Sequence, residues 1–122
     1  MANVLPIYDK DNVLRRVPTN PSYIKPDGTI NSYSFRKRKG EDGISVNLER
    51  LSSYKDTTLG NTNFRVLRIN VQTIRNVIND GLDIIHNPLP DNQAHSLITG
   101  DVSRSKQKKL VKSAIEIFEE EE

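Results

Sequence analysis

Residues 64–71 read Phe64-Arg65-Val66-Leu67-Arg68-Ile69-Asn70-Val71. Leu67, Ile69 and Val71 recur at every second position with Arg68 and Asn70 between them, the pattern of a half-buried β-strand. At Val71 the period changes. Val71, Ile74, Val77 and Ile78 are spaced like one face of a helix of about two turns, closed by Gly81, which can take the left-handed conformation that follows a helix end. A strand continued through Val77 is the alternative reading.

Working outward, Ile44-Ser45-Val46-Asn47-Leu48 alternates cleanly, with Ile44, Val46 and Leu48 on one face. Residues 13–17 form a short strand stopped by Pro18. Pro26-Asp27-Gly28 is a turn, because proline presets φ, Asp27 can bond back to the chain and Gly28 accepts a positive φ. Residues 30–35 after it are read as an irregular strand. Leu82-Asp83-Ile84-Ile85-His86 is a strand cut off by the proline-spaced loop 87–92, and residues 95–99 are a further candidate. From Ser103 to about Glu119, Leu110, Val111, Ala114, Ile117 and Phe118 make an apolar stripe at helical spacing. Strands mostly early, helices mostly late and no regular β-α-β alternation predict an α+β fold. The expected fold is a small, mainly antiparallel sheet from 13–17, 30–35, 44–48, 64–71 and 82–86, packed by the amphipathic C-terminal helix.

At 122 residues, the chain is expected to be one domain, with residues 1–12 and 119–122 as flexible ends. The apolar fraction, 34%, is low, so the core should be small and residues 36–43 and 52–63 should lie outside it. A thin core leaves room for a protein partner or a homo-oligomer. The absence of cysteine excludes disulfides and thiolate zinc sites and fits a cytoplasmic protein. The N-terminus lacks the basic-then-apolar pattern of a signal peptide, and no apolar run is long enough for a membrane span.

Net charge is +2 but uneven: residues 1–112 hold 18 Lys and Arg against 11 acids, and residues 113–122 hold five glutamates and no base. The C-terminal helix would therefore start with Arg104, Lys106, Lys108 and Lys109 and end with Glu116 and Glu119–Glu122, against the helix dipole at both ends. A bound anion at the helix start would compensate. The candidate phosphate or nucleic-acid site is thus Ser103, Arg104, Ser105, Lys106, Lys108 and Lys109, extended by the run Arg36, Lys37, Arg38 and Lys39, with Tyr33 and Phe35 as stacking groups and Arg15 and Arg16 as further cations. The plain alternative is a solvated helix face and a solvated loop. The lead-in Gly100-Asp101-Val102-Ser103-Arg104-Ser105-Lys106 lacks the glycine spacing of a nucleotide-binding P-loop, and neither cofactor nor metal is expected.

His86 and His95, with Asp83, Asp91 and Asp101 nearby, form a weaker acid–base candidate; no serine-hydrolase motif is present. Ser32-x-Ser34 after an arginine-bearing strand resembles the nucleotide-binding strand of ADP-ribosyltransferase-like folds; the resemblance covers these few residues only and lacks the catalytic glutamate. The preferred expectation is a non-enzymatic module whose basic surface binds DNA, RNA or another phosphate-bearing ligand, away from membranes. The alternative is an accessory subunit of antitoxin, immunity or regulatory type docking a larger protein.

Overall fold

Among the described residues, six strands carry the architecture: β1 (Asn12–Pro18), β2 (Ile44–Leu48), β3 (Phe64–Asn70), β4 (Asp83–His86), β5 (His95–Thr99) and β6 (Ile115–Ile117). In the computed structural model, residues 4–37, 40–78 and 82–118 are described. The strands form one antiparallel sheet in the order β4-β5-β2-β1-β3-β6. The short helices α1 (Tyr54–Thr58) and α2 (Arg104–Ser113) join 3-10 turns at Ser32–Phe35 and Glu49–Leu51 and a π-helical turn at Thr73–Ile78. The fold is therefore mixed α+β and dominated by its sheet.

Register explains the core. Val13 lies opposite both Leu48 and Ile69, and Ile98 lies opposite both Ile44 and Ile84, so apolar residues line up across neighbouring strands. With Val17, Val46, Leu67, Phe35, Ile74 and Leu110 they make one buried cluster. Each large aliphatic side chain buried there stabilises the fold by about 1.5–3 kcal/mol. The residues between them, Ser45 and Asn47 on β2, point to the other face. Gly43 is required where β2 begins: a Cβ there would meet the Ile98 carbonyl oxygen at 2.6 Å.

The alternation at 44–48 and 95–99 forms the strands expected, and the change of period at Val71 is real: strand gives way to a helical turn with Val71 and Ile74 buried. Gly81, expected to close that turn, lies outside the described residues. Residues 30–35 are a correction. Ile30 makes only an isolated bridge to Ile24, and Ser32–Phe35 is a 3-10 turn capped by Asn31, whose side-chain oxygen accepts from the Tyr33 N–H at 3.1 Å. The local cap competes with strand pairing, and the turn drives Phe35 fully into the core. The likeness to a nucleotide-binding strand loses its strand.

The C-terminal helix is the larger correction. It stops at Ser113; Ala114 is extended, and Ile115-Glu116-Ile117 pairs with the outer edge of β3, Leu67 opposite Glu116. An unpaired edge is a costly open surface, and β-branched residues alternating with a glutamate suit it. Arg65 clasps Glu116 through Nε at 2.9 Å and through its terminal NH2 group, which holds the guanidinium pKa above its ordinary value through the hydrogen bond to that carboxylate. The helical stripe from Leu110 to Phe118 thus merges a helix face with a strand's alternation.

Several contacts tie residues 5–11 to the rest of the fold. Ile7 and Asp11 are buried, the Leu5 N–H donates to His86, and Arg75 NH1 donates to the Ile7 carbonyl at 2.9 Å. Arg75 also pairs with Asp9 and Asp83. In the polar stretch 52–63, Ser53 caps α1 by accepting from the Asp56 N–H at 3.0 Å, and Thr57 and Thr58 are buried. No helix among the described residues is long and apolar enough to cross a membrane.

Candidate functional site

Ser103 caps α2: its hydroxyl accepts from the Lys106 N–H at 3.3 Å, and its carbonyl accepts from the Gln107 N–H at 2.9 Å. The first turn holds no acid and the last turn carries Lys112, so the charge order opposes the dipole at the start and agrees with it at the end. Glu116, expected at the helix end, sits on β6, and Glu119–Glu122 lie outside the described residues.

The basic residues divide. Lys106 is buried, its ammonium donating to the Asp101 carbonyl at 2.7 Å, which turns it away from solvent. Lys108 and Lys109 are exposed on the helix, and Ser105 is exposed beside the cap. Arg36 and Lys37 are exposed; Arg38 and Lys39 lie outside the described residues. Arg104 and Arg36, far apart in sequence, share the walls of one open groove of about 540 Å³ with Ser22, Asn31, Tyr33 and Gln107. The Arg36 guanidinium lies 4.1 Å from the centre of the Tyr33 ring, a cation–π contact between two of the groove's lining residues. Tyr33 in turn leans on Tyr23, ring centres 5.8 Å apart. Phe35, expected as a second stacking group, is fully buried and unavailable. Ser103, Ser105, Lys106, Lys108 and Lys109 are not on this groove's walls.

A second, larger groove of about 1000 Å³ opens on the other side of the sheet, between its polar face, α1 and the loop 89–94. Its floor was not foreseen as a unit. Arg15, proposed as a surface cation, is half-buried: Nε donates to the Ser34 carbonyl at 2.8 Å and NH1 to the Ser45 carbonyl at 2.6 Å. Arg16 remains exposed over the Phe64 ring at 4.7 Å. Asn47 accepts from the Asn92 amide at 2.8 Å and donates to Thr57 at 3.2 Å, tying the loop and α1 to β2. Ser34 Oγ is buried and, among the described residues, the one buried side-chain polar atom without a hydrogen-bond partner. Leaving a hydroxyl so costs about 1–3 kcal/mol.

The two histidines do not work together. His86 is buried; its Nδ1 accepts from the Leu5 N–H at 2.8 Å, so the proton lies on Nε2, which donates to the Gln93 carbonyl at 2.7 Å. That ring pins the N-terminal segment to the loop. His86 lies opposite Ser96, and successive residues of β5 point to opposite faces, so His95 looks the other way. His95 Nδ1 faces the Asn87 carbonyl at 2.8 Å, which can only accept, and Nε2 lies 3.2 Å from Ser45 Oγ. In the neutral ring, Nε2 is then the acceptor for the serine hydroxyl, a tautomer assigned from these partners. Ser45 and His95 are fifty residues apart; the available signal was that both occupy outward positions of neighbouring strands. No group of three or more His, Cys, Asp or Glu able to hold a metal ion occurs among the described residues. Comparisons with protein-family models, curated proteins and solved structures each found no match to this chain.

Proposed function

We propose that the protein is a small binding module for phosphate-bearing ligands, nucleic acid foremost, with the groove between the Ser32–Phe35 turn and the start of α2 as its contact surface. One observation carries this reading: Arg36 and Arg104 line a single open groove together with Tyr33. Two guanidiniums can each grip phosphate oxygens in bidentate fashion, and a half-exposed tyrosine offers a face for a base. Lys108 and Lys109, exposed further along α2, and Lys37 extend the positive surface for a longer strand. This reading places the protein in the cytoplasm, where nucleic acid and phosphorylated metabolites are abundant.

The test is fluorescence anisotropy with a labelled single-stranded oligonucleotide at low salt. The expected result is binding that weakens steeply with salt. Arg36→Gln with Arg104→Gln should flatten the slope of log affinity against log salt by about 1.4, at about 0.7 per lost phosphate contact. No binding at low salt sinks the reading.

A second reading, a protein–protein accessory or homo-oligomer, draws support from the free edge of β6, where Ile115 and Phe118 are 66% and 71% exposed. It predicts a melting temperature that rises with a partner's concentration.

A further inference from the structure

The geometry points to Ser45 as a nucleophile activated by His95, in a site that takes the acyl group of an ester. The elements of such a site meet on the floor of the larger groove. The serine hydroxyl lies 3.2 Å from His95 Nε2, and the opposite ring nitrogen is held at 2.8 Å by the Asn87 carbonyl, so nucleophile, base and orienting group stand in line. Arg15 sets a positive charge beside Ser45 by bridging its carbonyl to that of Ser34. Ser34, whose carbonyl Arg15 also holds, lines the same groove. Leu14, Leu51, Leu59 and Phe64 supply apolar wall for the body of an ester.

The chemistry balances without a further reactant except water. Ser45 Oγ adds to the ester carbonyl carbon while its proton passes to His95 Nε2, and the carbonyl electron pair collects on oxygen. The alkoxide collapses, the bond to the leaving alcohol breaks, and His95 returns the proton to that oxygen, leaving an acyl-serine. Water then adds to the acyl carbon, its proton goes to His95, and Ser45 departs with that proton as a hydroxyl. This site is separate from the groove of Arg36 and Arg104, so either assignment can fail without the other.

The probe is an alkyl fluorophosphonate, which phosphonylates an activated serine with loss of fluoride and is read by intact mass and peptide mapping. The expected result is one adduct, on Ser45, absent in Ser45→Ala and formed at least about 100-fold more slowly in His95→Gln, the lower range for loss of a general base. Because His95→Gln can fail to fold, the wild-type protein is also labelled after unfolding in guanidinium, where the rate should fall by the same factor. No adduct on Ser45, or equal rates in native and unfolded protein, or in wild type and folded His95→Gln, overturns the assignment.

Discussion

The two grooves draw on one short turn, Ser32–Phe35, yet hold their polar groups in opposite ways. In the smaller groove, Arg36 and Arg104 are exposed, and Arg36 rests on the Tyr33 ring. In the larger one, Arg15, Asn47 and His95 each reach at least two partners at defined distances. Loosely seated cations suit a polyanion, whose affinity comes from charge and tolerates movement. Groups locked by hydrogen bonds suit chemistry, where a misplacement of about 1 Å is costly. The same turn serves both because Tyr33 faces one groove, Ser34 the other, and Phe35 anchors them in the core.

That anchor is the way to break both grooves at once. Phe35→Ala should lower stability by about 3–5 kcal/mol, as for other large-to-small changes at fully buried aromatic positions. The measurement is the urea midpoint, and retention of either groove's activity in this variant would show that the turn is not their common support.

Arg15→Met separates the grooves. It leaves the Ser34 and Ser45 carbonyls without their charged donor. The expected loss is about 2 kcal/mol, from two acceptors left unsatisfied at about 1 kcal/mol or more each. Fluorophosphonate labelling should fall while oligonucleotide binding stays unchanged; equal damage to both would mean the grooves are coupled.

The smallest effect lies away from both. Burial raises the Asp83 pKa, but the Arg75 guanidinium and the Ile84 N–H outweigh it and hold the carboxyl below its ordinary 3.8. A carboxyl depressed in the folded state contributes stability that is present above its unfolded pKa and lost as pH falls through the folded value. Acidification from about pH 4 downward should therefore loosen the clasp of Asp9, Arg75 and Asp83 over the N-terminal segment. Melting curves of wild type and Asp83→Asn should differ near neutrality and converge in acid, with neither groove's binding altered at neutral pH.

Much of this was legible locally. Ile44–Leu48, the stretch from Phe64 and His95–Thr99 are strands because a period of two buries one face whatever lies beside it. Ser103 caps α2 as its position before the helix suggests. Of the basic candidates, Arg36 and Arg104 line one groove, Lys106 turns inward, and Lys108 and Lys109 stay exposed but apart from the groove walls. Composition marks a residue as cationic; it does not say toward which neighbour a flexible side chain will fold.

The sequence by itself determined the mixed α+β class, the main strands and the excess of positive charge before residue 113, because propensity, periodicity and formal charge are properties of short segments. Only the tertiary structure decided that Ile115–Ile117 would leave the helix for the edge of β3, that Ser32–Phe35 would curl into a turn, and that Ser45 would meet His95. Each of these depends on which distant segment lies alongside. A local pattern such as the stripe from Leu110 to Phe118 fits helix and strand in turn, and the open strand edge at β3 selects between them.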